Sequence, residues 1–410
     1  MTKRFLGLHE LLACNLSQYL PHNIVSYIEL EGQYDIDKLV STIQAYSSTL
    51  TQFHYYLNES HLFFEEAQNV TFPIEITSSS KDILPENIIN IELNKKFDLY
   101  SPPLVRFKLV VLHNKIYIFS TFHHSIIDGL PARYVLFKIL DAYHNDLIFN
   151  SSVKINSTKL DRVENYLNFG EYIYKKLPYN GTLNENSATR VIIGDINAIE
   201  LNRIIEWCKK NKIRFTSYLA IVANRTLSKI VGLENMQLGM LFNLRPFMNI
   251  KVRDDEVYFA SGASFFELES INKKSSIELF GKLSEQIDSV VFNKTVQEEL
   301  KLLSDFNARC LSIDSLISNI RYNKPSVFIS NLGRFKPGNL KINDRIVNTL
   351  VTATTHFYSA DPNRFFLVSS IFNDKLTLTL HYNYPLTSII QAREVLSNIK
   401  RDLEHCIDRP

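Results

Sequence analysis

Only four cysteines, Cys14, Cys208, Cys310 and Cys406, occur in 410 residues, and no two are spaced as C-x-x-C. That excludes a disulfide-dense secreted scaffold and the short-spaced redox motifs. Reduced, buried thiols in a cytoplasmic protein are expected instead. Glycine (12) and proline (13) are too sparse for fibrous or disordered classes. Neither sign of charge prevails, with Lys+Arg 45 against Asp+Glu 43, so electrostatics make no case for a nucleic-acid partner. No stretch reaches ~18 consecutive apolar residues, and no membrane span is expected. Lys3 and Arg4 lie near the start, but Glu10 interrupts the apolar run behind them and no small-residue cleavage site follows. A signal peptide is therefore not expected.

Common catalytic templates are missing too. Without a G-x-S-x-G elbow, the usual α/β serine hydrolase is disfavoured. Without H-E-x-x-H, a zinc site would have to recruit distant ligands, and no metal is expected. Neither G-x-x-x-x-G-K-[ST] nor G-x-G-x-x-G occurs, so NTP hydrolysis and dinucleotide chemistry have no support. Cofactor-free proton transfer remains: a base removing a proton from a hydroxyl, amine or thiol.

What is present is apolar mass. Hydrophobic residues make up 45% of the chain, with 27 Phe and 20 Tyr. A chain this long exceeds one typical core, so two domains are expected. The N-terminal domain is placed at residues 1–150, a crossover rich in Ser, Asn and Lys at 151–187, and the C-terminal domain at 188–410. In the first half, strands are expected at Ile24–Leu30, Leu104–Leu112 and Ile116–Phe122, and helices after Asp35, over Ile83–Leu93 and over Leu130–Tyr143. Phe53–Leu57 with Leu62–Glu65 reads as a hairpin, and Val70–Ile76 as a strand. The crossover carries a candidate helix at Asp161–Leu177. The second half adds strands at Thr189–Ile193, Gln237–Asn243 and Ser326–Ser330, an extended Glu256–Phe266, and a hairpin of Phe365–Phe372 with Leu376–Tyr382. Its helices are Asn197–Lys210, one from Thr216, Ile277–Asn293, Val296–Ser304 and Leu386–Cys406. Each half mixes hairpins with helices, which predicts two α+β layered domains.

The chemistry concentrates in Thr121-Phe122-His123-His124-Ser125-Ile126-Ile127-Asp128-Gly129, between a buried strand and a helix. Successive side chains on a strand face opposite ways, so His123 and His124 cannot both enter one cleft. One imidazole can act as a base, since its reference pKa of about 6.5 needs little tuning at neutral pH. The other packs or orients. Asp128 should face inward and need a partner, because an isolated buried charge is costly. Arg245, in Asn243-Leu244-Arg245-Pro246, is the candidate; a solvated surface charge is the bland alternative. Gly129 permits a tight turn.

His123 to Gly129 matches the H-H-x-x-x-D-G signature, and the chain thereby resembles the chloramphenicol acetyltransferase-like, condensation-domain superfamily. Phe97-Asp98-Leu99 with Pro103-Leu104-Val105-Arg106, Glu31-Gly32 with Asp35 and Leu39, Thr216 to Leu227, Asn243 to Pro246, and Ser330-Asn331-Leu332-Gly333 are similar to further family segments. Arg4, Leu6-Gly7 and Glu10 resemble the opening of stand-alone bacterial polyketide-associated acyltransferases. The plant D-F-G-W-G motif is absent. The resemblance implies two chloramphenicol acetyltransferase-like α/β sandwich domains, with mixed, largely antiparallel sheets and a channel at their interface. It implies a free-standing enzyme of natural-product biosynthesis, monomeric and cytoplasmic. That enzyme would move an acyl group from coenzyme A or an acyl carrier protein to a hydroxyl, with no bound cofactor. By the same resemblance His124 is the general base, His123 orients, Asp128 is structural and pairs with Arg245. Asn243, Ser330 and Asn331 are the further substrate-side candidates, the last two toward the oxyanion. A condensation enzyme forming an amide, and a binding protein without turnover, stay open as alternatives.

Overall fold

A computed structural model describes residues 21–58, 63–147, 188–243, 260–293, 326–335, 345–353 and 362–405, together with 3–6, 10, 13, 14, 17, 20, 245, 253–257. The crossover at 151–187, the helix expected at Val296–Ser304, Cys310 and Cys406 lie outside the described residues.

In chain order the strands are β1 (Lys3–Phe5), β2 (Asn23–Glu31), β3 (Tyr55–Leu57), β4 (Phe63–Glu66), β5 (Ile74–Ser78), β6 (Val105–Val111), β7 (Lys115–His123), β8 (Ala188–Ile196), β9 (Met236–Asn243), β10 (Ser261–Leu268), β11 (Ser326–Arg334), β12 (Arg345–Ala353), β13 (Arg364–Phe372) and β14 (Lys375–Tyr384). The helices are α1 (Ile36–Ser48), α2 (Pro85–Asn94), α3 (Gly129–His144), α4 (Ala198–Lys210), α5 (Phe215–Val231), α6 (Ser276–Asn293) and α7 (Ile389–His405).

Local chemistry explains most starts and stops. Asp35 caps α1 by accepting from the Lys38 amide at 2.9 Å, and Leu39, Ile43 and Tyr46 turn one face of that helix inward. Pro85 opens α2, where its missing N–H costs nothing. Asn197 caps α4, and Lys209 and Lys210 sit in its last turn, where positive charge suits the helix dipole. Gly232 closes α5 with φ of 70°, a left-handed conformation that glycine adopts without strain. The β13–β14 connection is tighter than the sequence suggests: Asn373 and Asp374, with φ of 48° and 58°, form a two-residue turn of the primed kind.

The chain divides into two units. The first contains Met1–Lys176, Arg245–Ala260 and Lys336–Thr354. Its larger sheet has the order β12-β2-β7-β6-β5, antiparallel apart from the parallel pair of β5 and β6. β1, β4 and β3 form a small second sheet, so a strand stands at residues 3–5. β7 is central, and its residues from Ile116 on are all buried, which accounts for its unbroken apolar run.

The second unit contains Leu177–Leu244, Ser261–Phe335 and Thr355–Pro410. Its six-stranded sheet runs β10-β9-β11-β13-β14-β8, with parallel pairs of β11 with β9 and with β13. Both units are thus α+β with mixed sheets, as expected. The units are not the contiguous spans 1–150 and 188–410, however. Arg245–Ala260 and Lys336–Thr354 return to the first unit, because β12 pairs along β2 from Arg345↔Glu31 to Ala353↔Ile24.

One face of the six-stranded sheet packs Leu238, Met240, Val327, Ile329, Leu367 and Leu378 into the main core. The opposite face carries an aromatic row of Phe265, Phe328, Phe366 and His381, with neighbouring rings 5.8, 5.6 and 5.1 Å apart. Phe328 lies directly over Gly239, where a Cβ would overlap its ring. Gly239→Ala is therefore expected to lower unfolding free energy by about 1–3 kcal/mol through forced displacement of Phe328, read from the denaturation midpoint. An unchanged midpoint would show that the ring moves aside freely.

Candidate active site

The register of β2 and β7 builds the site. The two strands pair antiparallel, and Asn23↔His123 is their last pair. His123 belongs to the face of β7 that also carries Thr121. There it is 1% exposed, with Nδ1 2.6 Å from the Ser125 hydroxyl and Nε2 2.5 Å from the Ser17 hydroxyl. Both ring nitrogens are engaged, and Phe97 meets the ring edge-on at 6.3 Å. His123 is therefore a fixed, satisfied histidine.

The layer beneath it is ionic. Glu92 accepts from the Arg106 Nε at 2.6 Å and from the Thr121 hydroxyl at 3.0 Å. Burial holds the Arg106 guanidinium below its usual range, and Glu92 works against that shift. Arg106 also stacks over Phe97 at 4.2 Å. Asn23 donates to the carbonyls of Glu92, Leu93 and Lys95, which fastens the end of α2 to the start of β2. Cys14 packs beside the turn, where burial pushes its thiol up to about 12 against an opposing bond from Ser125. It is an inert thiol at neutral pH.

Past the end of β7 the chain turns. The His124 amide donates to the His22 carbonyl at 2.8 Å, and the Ile126 amide to the His123 carbonyl at 3.1 Å. His124 is half-buried, while Ser125, Ile126, Ile127 and Asp128 are buried. Its imidazole stacks on that of His22, with ring centroids 4.9 Å apart and planes inclined by 25°. The expectation that the two histidines separate is what the geometry shows.

Asp128 closes the turn. Its carboxylate caps α3 through the Leu130 amide at 3.2 Å. It also takes Arg245 Nη1 at 2.9 Å, Arg245 Nη2 at 3.2 Å and the Ala260 amide at 2.7 Å. Both side chains of the ion pair are almost wholly buried. The bidentate geometry is the strong form of this interaction. Arg245 is thereby the anchor of Asp128, the partner expected for this buried carboxylate. Gly129 is the first residue of α3, and its φ is not among the positive ones, so the tight turn there is not left-handed.

The remaining candidates lie in the second unit. Asn243 ends β9 opposite Ser261, half-buried. Ser330 and Asn331 are consecutive in β11 and so face opposite ways. Ser330, 9% exposed, shares the face of Phe328. The Asn331 amide is held by Thr216 at 2.8 Å, the Gly333 amide at 3.0 Å and Ser369 at 3.1 Å. Asn331 is thus braced between β11, α5 and β13. Sequence reasoning missed His22, Ser17 and Ser125; the signal for His22 was the register of β2 against β7. Among the described residues, no group of His, Cys, Asp and Glu is arranged to hold a metal ion, and no helix is long and apolar enough to cross a membrane.

No family model matches the chain. A stretch of 146 residues, 34% of this chain, is 29% identical to tyrocidine synthase 3 of Brevibacillus parabrevis and spans 2% of that protein. The first condensation domain of the calcium-dependent antibiotic synthetase, in complex with a substrate analogue, superposes with a TM-score of 0.71 at 12% identity, over 100% of this chain and 97% of that one. Polyketide synthase associated protein 5 of Mycobacterium tuberculosis superposes with a TM-score of 0.68 at 12% identity, over 99% and 98%. The fold is therefore that of condensation domains, with both units included in the likeness.

Proposed function

We propose that the protein is an acyltransferase of natural-product biosynthesis that moves an acyl group from a thioester to a hydroxyl, with His124 as general base. The observation that carries this reading is the division of labour between the histidines. His123 is sealed between Ser17 and Ser125, whereas His124 is the half-buried imidazole on the turn that Asp128 and Arg245 lock. The condensation-domain fold supports the reaction class, and the donor would ride on coenzyme A or on a carrier protein.

His124 takes the proton from the acceptor O–H as the oxygen attacks the thioester carbonyl carbon. The tetrahedral intermediate collapses, the C–S bond breaks, and the imidazolium returns its proton to the departing sulfur. An ester and a free thiol result, with neither covalent acyl-enzyme nor bound cofactor in the scheme. The buried thiols of Cys14 and Cys208 suit a reducing, cytoplasmic setting, and the chain is taken to act as a monomer. Amide formation is the second reading, and the stretch similar to tyrocidine synthase 3 favours it.

The test offers acyl-coenzyme A and acyl-carrier thioesters to the whole chain, with alcohols and amines in parallel, and reads products by mass spectrometry. Ester from the alcohols supports the first reading, and amide alone supports the second. Thioester binding without product from any acceptor would leave a binding protein and overturn both.

A further inference from the structure

We propose that His22 is a positioning residue for His124: its ring fixes the plane of the neighbouring imidazole, and its charge discourages protonation of that imidazole. The inference rests on the reading of His124 as the base.

The placement follows from the sheet. Asn23↔His123 is the last pair of β2 and β7, so the next residue on each side, His22 and His124, are cross-strand neighbours. The backbone bond from the His124 amide to the His22 carbonyl, at 2.8 Å, extends the ladder by that one step. The rings follow, stacked at 4.9 Å and 25°. Rings face to face cannot pass a proton directly between their edges, so His22 is not a relay to His124. It holds the other ring's plane, as one wall of a slot holds a sheet of card.

The stack also couples two titrations. Protonating both rings puts two like charges at stacking distance, which is unfavourable, so the pair takes up its protons in two separated steps. Among the described residues, two ion pairs lie around the end of β7. Asp128 is bound to Arg245, and Glu92 to Arg106. His123 is turned to the opposite face, with its ring nitrogens on serine hydroxyls. His22 is a group whose charge state His124 meets face to face. As pH falls, a proton on His22 opposes one on His124, and a share of the molecules keeps the base neutral further into acid.

The experiment compares the parent with His22→Phe, which keeps a ring but cannot be charged. Each acid limb of the pH–rate profile is read against its own high-pH plateau. With a coupling of about one unit between the rings, His22→Phe should fall about two- to fourfold further than the parent between about pH 6 and pH 5.5. NMR titration of ring-labelled histidine gives the same comparison without turnover: the His124 signal should titrate in one step, at higher pH, in the variant. His22→Asn supplies a second uncharged variant should phenylalanine disturb the packing. Acid limbs and NMR curves that coincide in parent and variants overturn the inference. Failure of the base reading shows differently, as full acyl transfer by His124→Ala, and the NMR comparison then still decides whether the rings share charge.

Discussion

Replacing Asp128 by alanine is expected to lower the unfolding free energy by about 3–5 kcal/mol, the range for breaking a buried ion pair from one side. The cost is not chiefly the lost attraction. Arg245 would stay buried with its charge uncompensated, since both side chains of the pair lie within 3% of full burial. The Ala260 and Leu130 amides would lose an acceptor as well, and α3 its cap. Because the same carboxylate serves all of these, the losses should not add. The double variant Asp128→Ala/Arg245→Ala should be milder than the sum of its parents, because it leaves no orphaned charge. Glu234→Gln supplies the contrast. Its pair with Lys273 is at least half exposed and should matter by less than about 1 kcal/mol. Denaturant midpoints compare the two single variants, the double variant and Glu234→Gln with the parent, and a midpoint for Asp128→Ala equal to the parent's would refute the clasp.

His124→Ala is expected to lose on the order of 10²–10⁴ in turnover, the usual worth of a positioned base. It should do so with little change in folding midpoint, because the ring is half-buried and the ladder bond at this position is made by the backbone. A base acts in the transition state, so kcat and kcat/KM should fall together. His123→Ala should behave the other way. Removing it strands the buried Ser125 hydroxyl, while Ser17 keeps the Ala13 carbonyl, and a buried group left unsatisfied costs roughly 1–3 kcal/mol. One histidine is thus expected to govern rate and its neighbour to govern stability. Acyl transfer by His124→Ala at the parent's rate would end the assignment.

Much of this was legible because it is local. Asp35 before an apolar stripe, Pro85 at a helix start and the apolar run of β7 act within a few residues of themselves. The opposed faces of His123 and His124 needed only the two-residue period of a strand. The Asp128–Arg245 pair spans 117 positions, yet the cost of a buried carboxylate required some cation, and the resemblance offered Arg245. What escaped depends on pairing between distant segments. β12 has the β-branched composition of a strand, but nothing near Arg345–Ala353 says that its partner is β2. The role of His22 follows only from register, which becomes visible once β2 and β7 are laid side by side. The bracing of Asn331 was not legible because two of its three partners, Thr216 and Ser369, come from other parts of the chain.

The strand order of the first unit also constrains how the chain can be made. β2 gains its outer neighbour only from Arg345–Ala353, more than three-quarters of the way along 410 residues. During synthesis at ~5–20 residues per second, the open edge from Ile24 to Glu31 therefore waits many seconds for its cover. An uncovered apolar strand invites pairing with other chains. A fragment ending before β12 carries that hazard permanently, so the histidine motif is best studied in the whole polypeptide, and nascent chains are where a chaperone has most to do.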